Sequence, residues 1–206
     1  TVNRQGAKCI ACGTSVPLEY IRMNGRSGRI GSQLRAIVAE GVGNRAYLSP
    51  DADSMDIAEQ VKPDWVPDAA LSYNPRDIKA PTYGLDTYDK LFTNRQLIAL
   101  TTFSDLVQDV RQQVCTDATT ANLPIDEQPL HAGGCGVLAY ADAVATYMAI
   151  AVDRLADRNS SICTWDTGYA KVRNTFARQA IPMVWDYAEA NPMSDSTGNF
   201  RGAVDW

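Results

Sequence analysis

From Thr93 onward, apolar residues return at three- and four-residue steps: Leu97, Leu100, Phe103, Leu106, Val107, Val110 and Val114. That spacing puts them on one face of a helix, with Thr93 as its N-cap and an end near Cys115. A second stripe, Ala141, Val144, Met148, Ala151, Val152 and Leu155, predicts a helix over about Val137–Arg158, with Asp142, Asp153, Arg154 and Asp157 facing outward. Tyr169–Ala190 reads as a third helical region, kinked or divided at Pro182.

The first fifty residues have a different texture. LEYIRM (18–23), QLRAIVAE (33–40) and RAYL (45–48) are short and lie between glycine-rich stretches, which predicts an antiparallel β meander with "GRSGRIG" (25–31) as a hairpin turn. Between about 49 and 85 the chain is dense in Pro and Asp and has room for one short helix, near Ser54–Val61. The expected class is α+β. A small antiparallel β subdomain resembling half a zinc ribbon (1–50) is followed by a connector (51–92) and a mainly helical subdomain with two long amphipathic helices (93–206).

Composition narrows the function classes. The chain has 206 residues, 45% hydrophobic and 21% charged, enough for a real core. No apolar run reaches the roughly 20 residues of a membrane span, and the N-terminus lacks a signal-peptide layout, so a cytoplasmic setting without a membrane partner is expected. Five cysteines in no disulfide-like spacing are read as reduced thiols. The net charge of −5 argues against wholesale coating of nucleic acid. It hides an asymmetry, however: residues 1–45 carry seven basic side chains against Glu19 and Glu40, whereas residues 46–70 carry six acids against Lys62.

Few residues have the spacing of a chemical site. Cys9-Ile-Ala-Cys12-Gly13 looks like a zinc knuckle, since two thiolates two residues apart grip one edge of a tetrahedral ion and glycine allows the turn after them. No second Cys-x-x-Cys follows, so Cys9 and Cys12 make a half-site. Arg22, Arg26 and Arg29 near the glycine-rich turn are candidate phosphate contacts, with an ordinary solvated hairpin as the alternative. His131, four residues before Cys135 in "HAGGCG", could be drawn as a Cys–His pair, but it has no third partner in sequence and its glycines suggest a mobile loop. Cys115 and Cys163 read as core fillers, and Trp165, Trp185 and Trp206 as core residues before base-stacking ones.

The blocks "GAKCIACGTSVPLEYIRMNGRSGRIGSQLRAIVAEG", "NPRDIKAPTYGLDTYDKLFTNRQLIALTTFSDLV", "AYADAVATYMAIAVDRLADRNSSICTW" and "VRNTFARQAIPMVWDYAEANPMSDSTGNF" resemble, in this order, the adenine-specific DNA methylases that contain a zinc ribbon. The resemblance covers nearly the whole chain and fails over 117–135. It implies a parent DNA methyltransferase that uses S-adenosylmethionine on adenine in DNA, in a restriction-modification or phage-defence setting. It places the S-adenosylmethionine motif and the ribbon's first cysteine pair before Thr1 and an Asp-Pro-Pro-Tyr catalytic motif after Trp206; the chain's start on Thr and its stop inside "GAVDW" fit that expectation. Within the 206 residues it therefore implies no catalytic or cofactor-binding residue. "NPRD" (74–77) and "NPMS" (191–194) begin like the missing motif but lack its second proline and aromatic, and are expected to be turns. The expected partners are DNA and the remaining methyltransferase domains. The rival expectation is a non-catalytic interaction module that forms a homodimer or packs on a methyltransferase core.

Overall fold

The computed structural model describes residues 2–3, 5–42 and 44–205; Trp206 lies outside them. The chain is α+β, with small antiparallel sheets and a helical region containing two long helices. It divides into two compact units, residues 1–90 with 180–185 and residues 91–179 with 186–206.

The first unit begins with a three-stranded antiparallel sheet, β1 (Val2–Asn3), β2 (Gly6–Lys8) and β3 (Ser15–Pro17), in the order β1-β2-β3. Gly6 pairs with Pro17, and a side chain at Gly6 would overlap the Val16 carbonyl oxygen. β3 leads directly into α1 (Leu18–Arg26). This corrects the strand expected at 18–23. Leu, Glu, Arg and Met are good helix formers, and only Ile21 in the run is β-branched. Pro17 supplies the extended residue before the first turn, and Ile21 and Gly25, four apart, form the buried face.

"GRSGRIG" is accordingly no hairpin turn but the end of α1. The Gly28 N–H donates to the Gly25 carbonyl and the Arg29 N–H to the Asn24 carbonyl, each at 2.9 Å, with Gly28 left-handed at φ 68°. This pair of bonds around a left-handed glycine closes the helix as a Schellman motif. The strand expected over 33–40 is confined to β4 (Ile37–Glu40), paired antiparallel with β5 (Arg45–Leu48). Then α2 (Ala52–Gln60) starts on Asp51, whose carboxylate accepts the Ser54 N–H at 2.7 Å.

A 3₁₀ turn at Ala80–Tyr83 packs against α1. The contact is made by backbone: a Cβ on Gly25 would overlap the Tyr83 carbonyl, and one on Gly84 would overlap the Gly25 carbonyl. Residues 180–185 complete the unit, with Ile181 bridged to Ile78 and Trp185 edge-on to Tyr83 at 5.3 Å.

The second unit is built on α3 (Asn94–Thr120) and α4 (Val137–Ala156). Thr93 caps α3 as the sequence predicts, in a capping box with Gln96. The helix runs five residues past Cys115, with Ala118 still buried, and the Thr116, Thr119 and Thr120 hydroxyls donate to carbonyls four residues earlier. Asn122 then turns left-handed at φ 59° and the chain leaves the helix. Ala139, Ala141, Ala145 and Ala151 are buried along α4 and allow close approach of its neighbours.

The loop joining these helices is closed by bonds from two carboxylates and by close backbone contacts at its glycines. Asp126 accepts the Gln128 N–H at 2.9 Å and the Cys135 N–H at 3.0 Å. A side chain at Gly134 or Gly136 would overlap the Gln128 or Pro124 carbonyl, so glycine here serves close packing. Asp142 on α4 accepts the Leu130 N–H at 3.0 Å and Arg111 Nε of α3 at 2.8 Å, joining both helices and the loop at one carboxylate.

The third helical region is absent. In its place stand the hairpin of β6 (Trp165–Asp166) and β7 (Lys171–Val172) and irregular chain up to the short α5 (Phe200–Val204). Polar side chains divert the backbone from a helix. Asp166 accepts the Gly168 and Tyr169 N–H groups and binds Arg173, while Asp157 accepts the Phe176 N–H and the Asn174 amide. Cys163 is a core filler as expected, fully buried beside Ser160 and Thr175; Cys115 is half-buried. Phe103 of α3 stacks on Phe200 of α5 with ring centroids 4.3 Å apart.

Two outcomes are expected. Gly25→Ala must separate two backbones in contact and should lower unfolding free energy by about 1–3 kcal/mol in urea melts, the range of overpacked sites. The Asp142 carboxyl is held below its ordinary value, first by the Leu130 amide and then by Arg111. A carboxylate with a depressed folded pKa contributes stability above its unfolded pKa of about 3.9 and loses it as pH falls through the folded value. The melting temperature of Asp142→Asn should therefore fall below that of the wild type at pH 7, and the gap should close as pH drops below about 4.

Candidate functional site

The knuckle sits at the tip of the β2–β3 hairpin, on the six residues between Lys8 and Ser15, which are register partners. The Cys9 N–H donates to the Thr14 carbonyl and the Gly13 N–H to the Cys9 carbonyl, both at 2.9 Å, folding Cys9 and Cys12 onto one turn. Gly13 is left-handed at φ 72°, and its missing Cβ would meet nothing, so the conformation alone calls for glycine. Cys12 Sγ lies 3.1 Å from Thr14 Oγ1. The Thr14 hydroxyl, then the Thr14 backbone and then the Cys9 thiol hold the Cys12 thiol below its ordinary pKa. Thiolate is the form that binds soft metals, so the turn favours the ligand state of Cys12.

This donor set fits one edge of a tetrahedral zinc site: two sulfur ligands at i and i+3 on a glycine-closed turn. Among the described residues no cluster of three or more His, Cys, Asp or Glu side chains could hold a metal. Zinc there would be held by Cys9 and Cys12, and its chemistry would be that of a structural cross-link.

The three candidate arginines lie on or just past α1. Arg26 binds Glu19 at 2.7 Å, and Arg22 reaches the other oxygen of the same carboxylate at 3.7 Å. Arg26 above all, with Arg22 adding to it, keeps the Glu19 carboxyl below its ordinary pKa. Arg22 also stands over the Tyr83 ring, 5.7 Å from its centroid, with Nε buried and unpartnered. Arg29 bonds Asn24 Oδ1 at 2.9 Å. Two of the three guanidiniums are thus gathered on one carboxylate and the third lies apart. The knuckle and the start of α1 occupy opposite ends of β3, about 10 Å apart at the rise of a strand.

The remaining candidates do not assemble. No hydrogen bond joins His131, in the 3₁₀ turn Leu130–Ala132, to Cys135. Asn74 Oδ1 accepts the Arg76 and Asp77 N–H groups and Asn191 Oδ1 the Met193 N–H, so both Asn-Pro stretches are side-chain-closed turns. Trp165 is half-buried in β6. Two hollows of about 470 and 330 Å³ share Arg154 and Arg158 and carry Asp153, Asp157 and Asp195 on their walls, a mixed lining without a nucleophile and base in contact. Among the described residues no helix is long and apolar enough to cross a membrane. Thr14 and Glu19 are what the sequence search missed. The first was signalled only by its place after Cys12-Gly13, the second by its three- and seven-residue distances from Arg22 and Arg26. Compared with known proteins, the chain matches no family model, no curated protein and no solved structure.

Proposed function

We propose that this chain is the part of an S-adenosylmethionine-dependent, adenine-specific DNA methyltransferase that lies between its cofactor and catalytic motifs. The observation that carries this is the Cys9/Cys12 knuckle, a glycine-closed hairpin tip with half the thiolates of a zinc ribbon, inside the first block that resembles the zinc-ribbon methylases. Methylation at adenine N6 needs a flipped base whose amino group is held by an Asn or Asp side chain. Asn74 and Asn191 are engaged with their own backbones, so that chemistry falls to the rest of the parent and this segment is inactive alone. Its part is to shape the DNA-facing surface, with Arg22, Arg26 and Arg29 as phosphate contacts, in a cytoplasmic restriction-modification or phage-defence enzyme.

A second reading, a non-catalytic module that pairs with itself or packs on a methyltransferase core, draws support from α4. Tyr140, Tyr147 and Ile150 lie on one outward face of that helix, with Tyr147 72% exposed.

The deciding experiment is methyl transfer. The longer reading frame containing this chain should incorporate tritiated methyl groups from S-adenosylmethionine at adenine N6 of DNA, and lose that activity when its Asp-Pro-Pro-Tyr is changed; no incorporation overturns the proposal. Arg26→Ala and Arg29→Ala should each weaken binding of a DNA duplex and flatten its log–log salt slope by about one unit. Glu19→Gln should strengthen the same binding by releasing Arg26. Unchanged affinity in all three removes the arginines from the interface, and a tight dimer blind to DNA favours the second reading.

A further inference from the structure

We propose that the end of α4 and the chain folded against it form a nucleotide site, with a phosphate group held by Arg158 and the 196–198 loop and the base laid against Phe176 and Ile150. The inference stands on the two hollows of the helical unit and does not depend on the methyltransferase reading.

The phosphate half is the hollow of about 330 Å³, lined by Arg154 and Arg158 from the end of α4 and by residues 195–199 of the chain before α5. Arg158 is half-buried, its Nη1 donates to the Val172 carbonyl at 3.3 Å, and no carboxylate pairs with it among the described residues. A half-buried guanidinium without a counter-charge suits an oxyanion, because its planar fork of donors matches phosphate oxygens. Neutral donors stand in the same lining: the Thr197 hydroxyl and the Thr197 and Gly198 N–H groups bond no other group among the described residues. The loop that carries them is fastened. Gly198, left-handed at φ 97°, packs so closely that a Cβ there would overlap the Ala190 Cβ, and its carbonyl accepts the amide of buried Asn159 at 2.9 Å. Two guanidiniums against the exposed carboxylate of Asp195 leave this hollow with a positive balance.

The base half adjoins it, since Arg154 and Arg158 also line the hollow of about 470 Å³. Its apolar members, Ile150 and Phe176, are 49% and 45% exposed. Asp157 sets Phe176 in place: its carboxylate accepts the Phe176 N–H at 2.8 Å and the Asn174 amide, and its carbonyl accepts the Thr175 N–H at 2.6 Å. Both carboxylate oxygens of Asp157 are thereby engaged. An exposed aromatic face beside paired arginines matches a nucleotide, which offers a π-face to stack and a phosphate to neutralise. Phosphate alone would leave Phe176 and Ile150 uncovered. Both hollows have the size of small-molecule sites, about 300–1,000 Å³.

The test uses the whole chain and thymidine probes, whose base is not the one the proposed enzyme would methylate. In calorimetric titrations, thymidine 5′-monophosphate should bind about ten-fold tighter than inorganic phosphate or thymidine alone, since only it spans both hollows. Arg158→Gln should weaken that binding about ten-fold, the cost of a lost charge-assisted bond. Phe176→Leu, which keeps apolar bulk and loses the ring face, should weaken it about five-fold. Asp195→Asn should strengthen it by removing a like charge. Thr197→Val, nearly isosteric, should weaken it too, and with Phe176→Leu it reports on the site even where Arg158→Gln folds poorly. A single-stranded oligothymidylate that outcompetes the mononucleotide assigns the site to a nucleic-acid strand, and the reverse order assigns it to a free nucleotide; both support the site. Inorganic phosphate binding as tightly as the mononucleotide, no binding of any probe, or binding indifferent to Phe176→Leu and Thr197→Val overturns it. None of these outcomes touches methyl transfer by the longer frame, so failure here and failure of the methyltransferase proposal are distinct results.

Discussion

The Asp142 carboxylate is the constraint on which the helical unit turns. It stands on α4, accepts Arg111 from α3 with one oxygen and closes the Leu130 amide of the connecting loop with the other. The buried alanines of α4 allow close approach of its neighbours. A charged, directional contact fixes the register, and charge-assisted bonds are roughly twice as strong as neutral ones. With α3, α4 and the loop fixed at one point, the loop glycines can be used for close backbone packing. Asp126 then closes the remainder of the loop on the Gln128 and Cys135 amides.

The N-terminal unit solves the same problem without charge. Where α1 meets the 3₁₀ turn, Gly25 and Gly84 let two backbones touch, and no side chain fits between them. This crossing holds α1 in place and thereby fixes where Arg22 and Arg26 stand. Arg22 extends toward Tyr83, the residue just before Gly84, so the backbone contact and the arginine's position share one cause. A guanidinium over an aromatic ring and beside a carboxylate is more fixed than a free surface arginine.

What could be seen in the sequence was what is decided locally. Thr93 and Gln96 announce the start of α3, the apolar stripes announce α3 and α4, and Cys9-x-x-Cys12-Gly13 announces a turn that the hairpin presents. The misreadings share a physical origin, since in each the deciding partner lies far off in sequence or in the backbone. LEYIRM is too short for periodicity to separate strand from helix, and the deciding feature, Gly25 against Tyr83, is a contact across almost sixty residues. Over 169–190 the apolar spacing suggests a helix, but Asp157 draws in the Asn174 and Phe176 groups and Ile78 draws in Ile181. The glycines before α4 read as freedom in sequence and serve as contact surface in the fold.

The hairpin turn that carries Cys9 and Cys12 has its geometry set almost wholly by neighbours in sequence. Its two cross-turn bonds, the left-handed Gly13 and the Thr14 hydroxyl are all contained between Cys9 and Thr14. Such a turn is ordered by bonds within its own six residues and asks nothing of the rest of the chain. A hairpin of three-residue strands is too small to cover its own tip, so Cys12, Ile10 and Lys8 are exposed while Cys9 is half-buried. The same smallness that lets neighbours in sequence set the turn leaves it nothing to pack against, so local order and exposure at this tip have one cause.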